Sequence, residues 1–248
     1  MVNILICGAG GKMGAALIEL LNGETQAKAV CGVDIHAPEN VHIPIYKTFK
    51  EVKEKVDVII DFSSPAVLQD ELEWAVKNKV PVVLGSTGFD DEQLKIIENT
   101  AKKIAIFKTA NFSLGVNLLM KLVREAASVL GDKFDIEIIE KHHSLKADAP
   151  SGTALMLADS ANVENKDYLY GRDKNTGRRG KEIGIHAVRG GTIVGEHEVM
   201  FAGEDEIISL SHSARSKKVF AAGAIKAAIF LAGKPAGKYD MGDILSLK

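Results

Sequence analysis

From position 140 the chain reads Glu140, Lys141, His142, His143, Ser144, Leu145, Lys146, Ala147, Asp148, Ala149, Pro150, Ser151, Gly152, Thr153. Two adjacent imidazoles, an ammonium and a helix start are packed into this short run. Pro150, Ser151, Gly152 and Thr153 precede an apolar periodic stretch from Ala154. Such a helix N-terminus offers backbone N–H groups and partial positive charge, which makes it an anion site. The Gly152 and Thr153 amides suit one carboxylate, and His143 and Lys146 can assist by charge or hydrogen bonding. A dicarboxylate with a conjugated C=C–C=N group would fit this chemistry. Hydride delivered to it leaves negative charge that a proton must quench, and a histidine or the lysine can supply that proton. Taken singly, paired loop histidines are ordinary solvated residues and Ser-Gly-Thr is ordinary helix capping. Their conjunction carries the signal. No cysteine or glutamate stands at His-Glu-x-x-His spacing beside the histidines, so no metal is expected.

A second motif supplies a partner for this chemistry. Gly8, Ala9, Gly10, Gly11, Lys12, Met13 and Gly14 follow an apolar run and open a helical pattern, the context a dinucleotide fingerprint requires. Met13 stands where the strict G-x-G-x-x-G pattern wants glycine. Gly8, Gly11 and Gly14 fit a G-x-x-G-x-x-G variant that lets backbone amides approach a pyrophosphate. Asp34 lies 20 residues after Gly14, where a carboxylate would bond the adenosine ribose and repel a 2′-phosphate. It therefore favours NADH over NADPH. Two further turns, Gly85-Ser86-Thr87 and Thr109-Ala110-Asn111-Phe112, follow strand-like runs and are placed to contact the ribose and nicotinamide amide.

The elements that must position these residues alternate in the first half. Strands are predicted over Val2–Cys7, 27–34, 56–62, 80–84 and 104–107, with helices over Lys12–Leu21, 65–77 and 90–102. This order predicts an α/β fold, a Rossmann-like doubly wound parallel sheet. After Asn111 the pattern changes. A long helix, Leu114–Leu130, is followed by a strand over 134–140, a polar segment and a helix from about Ser151. Residues 165–182 read as a mobile surface loop. Strands at Ile183–Arg189 and 192–201 flank Gly190 and Gly191, a hairpin signal, and another strand covers 206–213. Strands in sequence without helices predict a second, α+β domain with an open mixed sheet. A final helix over 218–232, before a short tail, can pack back on the first domain. The expected division is 1–113 with 223–248 for the dinucleotide, and 114–222 for the substrate.

The bulk numbers fit this reading. The chain has 248 residues, 46% hydrophobic and 26% charged, with a net charge of −2, so neither nucleic acid nor a membrane surface is indicated as partner. No apolar stretch approaches the roughly 20 residues that span a bilayer. No signal peptide is evident at the start, so a cytoplasmic location is expected. Cys7 and Cys31 lie in apolar runs and read as small buried hydrophobes.

The run at 140–154 resembles the signature segment of the 4-hydroxy-tetrahydrodipicolinate (dihydrodipicolinate) reductase family. The resemblance extends over nearly the whole chain, through Gly8–Gly14, Gly85 to Phe89, Ala110 to Ser113, Val194 to Glu198, and Phe220 to Gly223. It implies reduction of (2S,4S)-4-hydroxy-2,3,4,5-tetrahydrodipicolinate to tetrahydrodipicolinate with loss of water, in lysine and diaminopimelate biosynthesis. Hydride would come from NADH or NADPH. By this resemblance His142 is the proton donor and acceptor and Lys146 the second donor. His143, Gly152 and Thr153 hold the substrate carboxylate, and Gly8 to Met13, Asp34, Gly85 to Thr87 and Thr109 to Phe112 hold the cofactor. A homotetramer formed through the second domain's sheet is also implied. Two departures are Ser86, where many members carry threonine, and Lys217, which occupies a position expected to be arginine, with Arg215 two residues earlier. The rival readings are another two-domain amino-acid dehydrogenase, acting on aspartate or homoserine, and a non-catalytic NAD(H) sensor. The first leaves the His-His-Ser-Leu-Lys run unexplained, and the second leaves it idle.

Overall fold

The computed structural model describes residues 1–36 and 41–245. Its chain divides into two compact units, Met1–Ser113 with Lys218–Lys248, and Leu114–Lys217. The second crossing falls where a helix begins, at 218 rather than the expected 223. A helix packs as one body, so its first turn goes with the rest.

The first unit contains β1 (Val2–Cys7), α1 (Lys12–Leu21), β2 (Ala27–Val33), β3 (Ile45–Tyr46), β4 (Val58–Asp61), α2 (Leu68–Asn78), β5 (Val82–Leu84), α3 (Asp91–Thr100) and β6 (Ala105–Lys108). The second contains α4 (Leu114–Leu130), β7 (Asp135–His142), α5 (Gly152–Ala161), β8 (Tyr168–Tyr170), β9 (Ile183–Arg189), β10 (Gly195–Ala202) and β11 (Ile207–Ala214). The chain then returns to the first unit with α6 (Lys218–Leu231), β12 (Gly237–Tyr239) and α7 (Met241–Leu245).

The first unit is the doubly wound sheet expected, in the order β12-β6-β5-β4-β1-β2-β3 and parallel throughout. Its central strands are continuous apolar runs because both faces are covered. Ile4, Leu5, Ile6, Ile59 and Ile60 are fully buried. The order reverses between β1 and β4, and this is the switch point beside which such sheets bind ligands. Short strands β3 and β12 occupy the two edges, where the sequence signal is weakest. β12 lies in the segment read as a tail, of which residues 246–248 fall outside the described part.

The second unit has a five-stranded mixed sheet, ordered β11-β10-β7-β9-β8. β10 is antiparallel to β7 and β11, while β9 is parallel to β7 and β8. Helices α4 and α5 cover one face through Leu119, Val123, Leu157 and Ala158, packed on Ile136, Ile138, Val199 and Phe201.

Three expectations are corrected. β9 and β10 are not a hairpin, because β7 lies between them. The connection 190–194 crosses the tip of β7, about 10 Å between alternate strands. There Gly190 donates to the His142 carbonyl (2.9 Å), and the Ser144 N–H donates to the Gly191 carbonyl (3.2 Å). Segment 165–182 is not only a loop. It carries β8, and Arg179 pins it to the sheet through Glu137 Oε1 (3.0 Å) and the Ile136 carbonyl (3.0 Å). Finally, β7 runs on to His142, so that histidine belongs to a strand rather than to the polar segment after it. Among the described residues no helix is long and apolar enough to cross a membrane.

Candidate active site

Strand β7 alternates strictly between its two faces, and its buried positions are Ile136, Ile138, Glu140 and His142. The period of two thus places a carboxylate and an imidazole on the core face, directly after two isoleucines. The neighbouring strands complete the group by register. Glu140 pairs with His197 on β10, and His142 pairs with Arg189 on β9.

The Glu140 side chain is 0% exposed and fully bonded. Arg189 donates to both of its oxygens, Nη1 to Oε2 (2.8 Å) and Nη2 to Oε1 (2.7 Å). The Ser151 N–H donates to Oε1 (3.0 Å), and His142 Nδ1 lies 2.5 Å from Oε2. Burial pushes the Glu140 carboxyl up, but hydrogen bonds from Arg189, His142 and Ser151 outweigh it and hold the group below the ordinary carboxylate range. An ionised carboxylate only accepts, so the Nδ1 proton is on His142 and Nε2 is the outward nitrogen. Gly195 lies against that nitrogen. A Cβ there would stand 3.1 Å from Nε2.

His197 packs edge-on against His142, with ring centroids 5.1 Å apart, and its Nε2 lies 3.1 Å from Ser151 Oγ. Burial, with the nearby His142 charge, pushes His197 down to about 4, so it is neutral at physiological pH. Ser151 Oγ also accepts from the Ala154 N–H (3.2 Å), which makes Ser151 the N-cap of α5. Gly152 is exposed, and a Cβ there would meet nothing within 4 Å, so the first turn of α5 is open to a small anion.

The other expected residues of this run are placed differently. His143 is half-buried at the start of a tight turn, its carbonyl accepting from the Lys146 N–H (3.1 Å). Lys146 Nζ is held by Asp148 Oδ1 at 2.8 Å. The structure thus brings His142 and the start of α5 together through Glu140, while the Lys146 ammonium, near enough to act electrostatically on His197, is paired with Asp148. Sequence reading missed Glu140, Arg189, Ser151, Gly195 and His197 as site residues. The signal for Glu140 was available, since an ionisable residue two places beyond Ile138 sits at a core position of the strand.

In the first unit, the turns at 8–14, 85–87 and 109–112 lie beyond the carboxyl ends of β1, β5 and β6. Gly8 has φ +81°, and a Cβ on it would lie 2.6 Å from the Phe62 carbonyl oxygen. Gly10 is equally confined, its Cβ position 2.5 Å from the His36 oxygen. Gly11 caps α1 with no side-chain bond, which leaves that helix end to an outside anion. A cavity of about 340 Å³ adjoins the turn, lined among others by Gly8, Gly11, Asp34, His36, Lys47 and Ser63. These features fit the diphosphate and adenosine of a dinucleotide. Asp34 takes the Gly10 and His36 N–H groups at 2.9 Å each, which ties the turn to β2. Gly85 sits where a Cβ would meet the Phe62 ring at 2.5 Å. Thr87 and Ala110 are exposed. Asn111 Oδ1 accepts from the Ser113 N–H (2.8 Å), and Phe112 packs on Phe62 and Phe107, so both also serve the fold.

Elsewhere in this unit, Cys7, Asp61 and Glu71 form a buried group with metal-ligand proximity, remote in sequence from the histidines. Burial raises the Cys7 thiol well above its usual range, and Cys31 is pushed up to about 12 for the same leading reason.

A doubly wound dinucleotide unit, joined to a second unit bearing an oriented imidazole and an anion-ready helix end, defines a nicotinamide-nucleotide-dependent reductase. Sequence models described as "Dihydrodipicolinate reductase, N-terminus" and "Dihydrodipicolinate reductase, C-terminus" match residues 2–112 and 115–245. The chain belongs to the dihydrodipicolinate reductase family. It is 50% identical to the 4-hydroxy-tetrahydrodipicolinate reductase of Caldanaerobacter subterraneus subsp. tengcongensis, over 99% of this chain and 98% of that one. Identity to the same-named protein of Clostridium tetani is 44%, with the same coverage. Among solved structures, the dipicolinate-bound dihydrodipicolinate reductase of Paenisporosarcina sp. TG-14 superposes with TM-score 0.81 at 28% identity, covering 97% of both chains.

Proposed function

We propose that this protein reduces (2S,4S)-4-hydroxy-2,3,4,5-tetrahydrodipicolinate to (S)-2,3,4,5-tetrahydrodipicolinate with loss of water, at the expense of NADH or NADPH, in lysine and diaminopimelate biosynthesis in the cytoplasm. The observation that carries the reading is the meeting of His142 and the start of α5 on one buried carboxylate. Family membership over nearly the whole chain supports it.

A reduced nicotinamide supplies the hydride. The turn at Gly8, Ala9, Gly10, Gly11, Lys12 and Met13, with Asp34, Gly85, Ser86, Thr87, Thr109, Ala110, Asn111 and Phe112, is the set assigned to hold it. Asp34 favours NADH, because a carboxylate repels a 2′-phosphate. Lys47 and His36 line the same cavity and can receive that phosphate, which leaves NADPH usable. In the second unit, Gly152 and Thr153 bind a substrate carboxylate at the helix end, assisted by His143. His142, carrying a second proton on Nε2 in its imidazolium form, delivers that proton to quench the charge left by hydride addition and keeps its Nδ1 proton directed at Glu140. Lys146 is assigned as second donor and must leave Asp148 to act.

We also assign a homotetramer built through the five-stranded sheet. Edge strand β11 carries Ile207 at 64% exposure, and a sheet edge of this kind is a pairing surface. Light scattering reads the assembly state directly. The activity test is a coupled assay with freshly generated substrate, following NADH and NADPH oxidation, with product identified by mass spectrometry. Absence of turnover with either cofactor, or turnover of aspartate instead, would refute the assignment.

A further inference from the structure

We propose that Glu140 is a positioning residue that couples the proton donor to the substrate-carboxylate site, with Arg189 as its fixed counter-ion. This rests on the reading of His142 as proton donor given above. Glu140 touches no solvent, yet its two oxygens accept four donors from three parts of the unit: two N–H groups of Arg189 on β9, Nδ1 of His142 on its own strand, and the N–H of Ser151 at the cap of α5. Arg189 is itself anchored, its Nη2 donating to the Asp148 carbonyl (2.6 Å) and its Nη1 to the Val188 carbonyl (2.8 Å). The guanidinium is bidentate and planar, so it fixes the plane of the carboxylate as well as its charge.

Two consequences follow from that one carboxylate. Its Oε2 decides which nitrogen of His142 carries the resting proton, and so which nitrogen faces outward. Its Oε1 fixes the first amide before α5, and so where the open turn of that helix stands relative to Nε2. Proton delivery and anion binding therefore share one support. The other charged or titratable groups around the ring are His197 on β10, His212 behind it on β11, and Lys146 and Asp148 in the following loop. None of these bonds Nδ1 among the described residues.

Glutamine at this site keeps the shape but cannot accept on both sides. With its oxygen toward Ser151 and Arg189, its amide N–H points at Nδ1. The ring must then carry its proton on Nε2 and cannot hold a second on Nδ1. Expected for Glu140→Gln is a loss of turnover of about a hundredfold or more. The alkaline limb of the pH–rate profile should move to lower pH by a unit or more. Affinity for pyridine-2,6-dicarboxylate, measured by calorimetry, should fall at least fivefold, while NADH affinity stays within twofold. Glu140→Asp retains the charge and should recover part of the turnover and the wild-type profile. A Glu140→Gln enzyme with unchanged turnover and profile overturns the proposal, as does one that loses turnover with an unmoved profile and full dicarboxylate affinity.

If the variants do not fold, nitrogen-15 histidine spectra of the wild-type protein still decide. A neutral His142 protonated on Nδ1 is expected, and the Nε2–H tautomer overturns the proposal. A wild-type protein that shows the expected tautomer but turns over no substrate would sink the functional reading and leave the positioning role standing.

Discussion

Replacing Glu71 by glutamine is expected to stabilise the first unit, and to do so more strongly as pH rises. Glu71 lies on α2, is 0% exposed, and neither carboxylate oxygen has a hydrogen-bond partner among the described residues. Burial, reinforced by the negative charge of nearby Asp61, raises its pKa well above the usual glutamate range. The folded protein thus keeps a proton that the unfolded chain gives up. Stability is then full below the unfolded pKa and declines as pH rises toward the folded one. The slope for one proton is about 1.4 kcal/mol per pH unit. That loss accrues over the interval between the unfolded and folded pKa values, and glutamine removes it. For a protein of this size, about 2–4 °C of Tm accompanies each kcal/mol. The gap between variant and wild type should therefore widen by roughly 3–6 °C for each pH unit below the folded pKa. Scanning calorimetry of both proteins at pH 5.5, 6.5 and 7.5 reads it. Parallel Tm curves, or a gap that narrows with pH, would refute the reasoning, because either means that Glu71 does not take up a proton on folding.

His142→Gln should lose mainly turnover, by about a hundredfold or more, with KM little changed; steady-state kinetics showing wild-type turnover would remove His142 from the chemistry. Asp34→Ala should weaken NADH more than NADPH, and equal losses in fluorescence titrations would count against its ribose role. The same substitution also removes two backbone anchors of the glycine turn, so some loss for both cofactors is expected. Gly8→Ala forces a side chain into a positive-φ position against the Phe62 carbonyl, and should cost about 1–3 kcal/mol together with tenfold or more in NADH affinity. A variant with the wild-type Tm and affinity would show that the turn has room to spare.

Much of the first unit was legible because buried parallel strands and amphipathic helices write themselves plainly in sequence. Val2–Cys7 and Lys12–Leu21 appear with the bounds their patterns give. Strand β3, two residues long, and the edge strand β12 bury too little to leave a periodic signature. In the second unit the local signals were sound but the pairing was not. Gly190 and Gly191 do make a turn, yet a turn states nothing about which strand lies beyond it. β7, with Ile136 and Ile138 facing the helices, occupies the middle of the sheet, and β9 and β10 are set on either side of it. The chemistry of the run 140–153 could be read as residue types. That Glu140 joins His142 to Ser151, and that Arg189 and His197 come from other strands, depends on register, which no local pattern in those strands specifies. Lys146 shows the converse: its spacing suggested an available ammonium, and the fold gives it Asp148, two residues away.

The return of α6 and β12 to the first sheet has a consequence for how the protein is made. β6 gains its outer neighbour only when Tyr239 has been added, whereas every strand of the second unit is complete by Ala214. During synthesis, in which domains form in the order their segments emerge, the inserted unit can assemble first. The earlier unit waits with one flank bare until residues 237–239 have emerged. A nascent chain stalled before 218 should therefore resist protease in its later half while its earlier half remains open to cleavage.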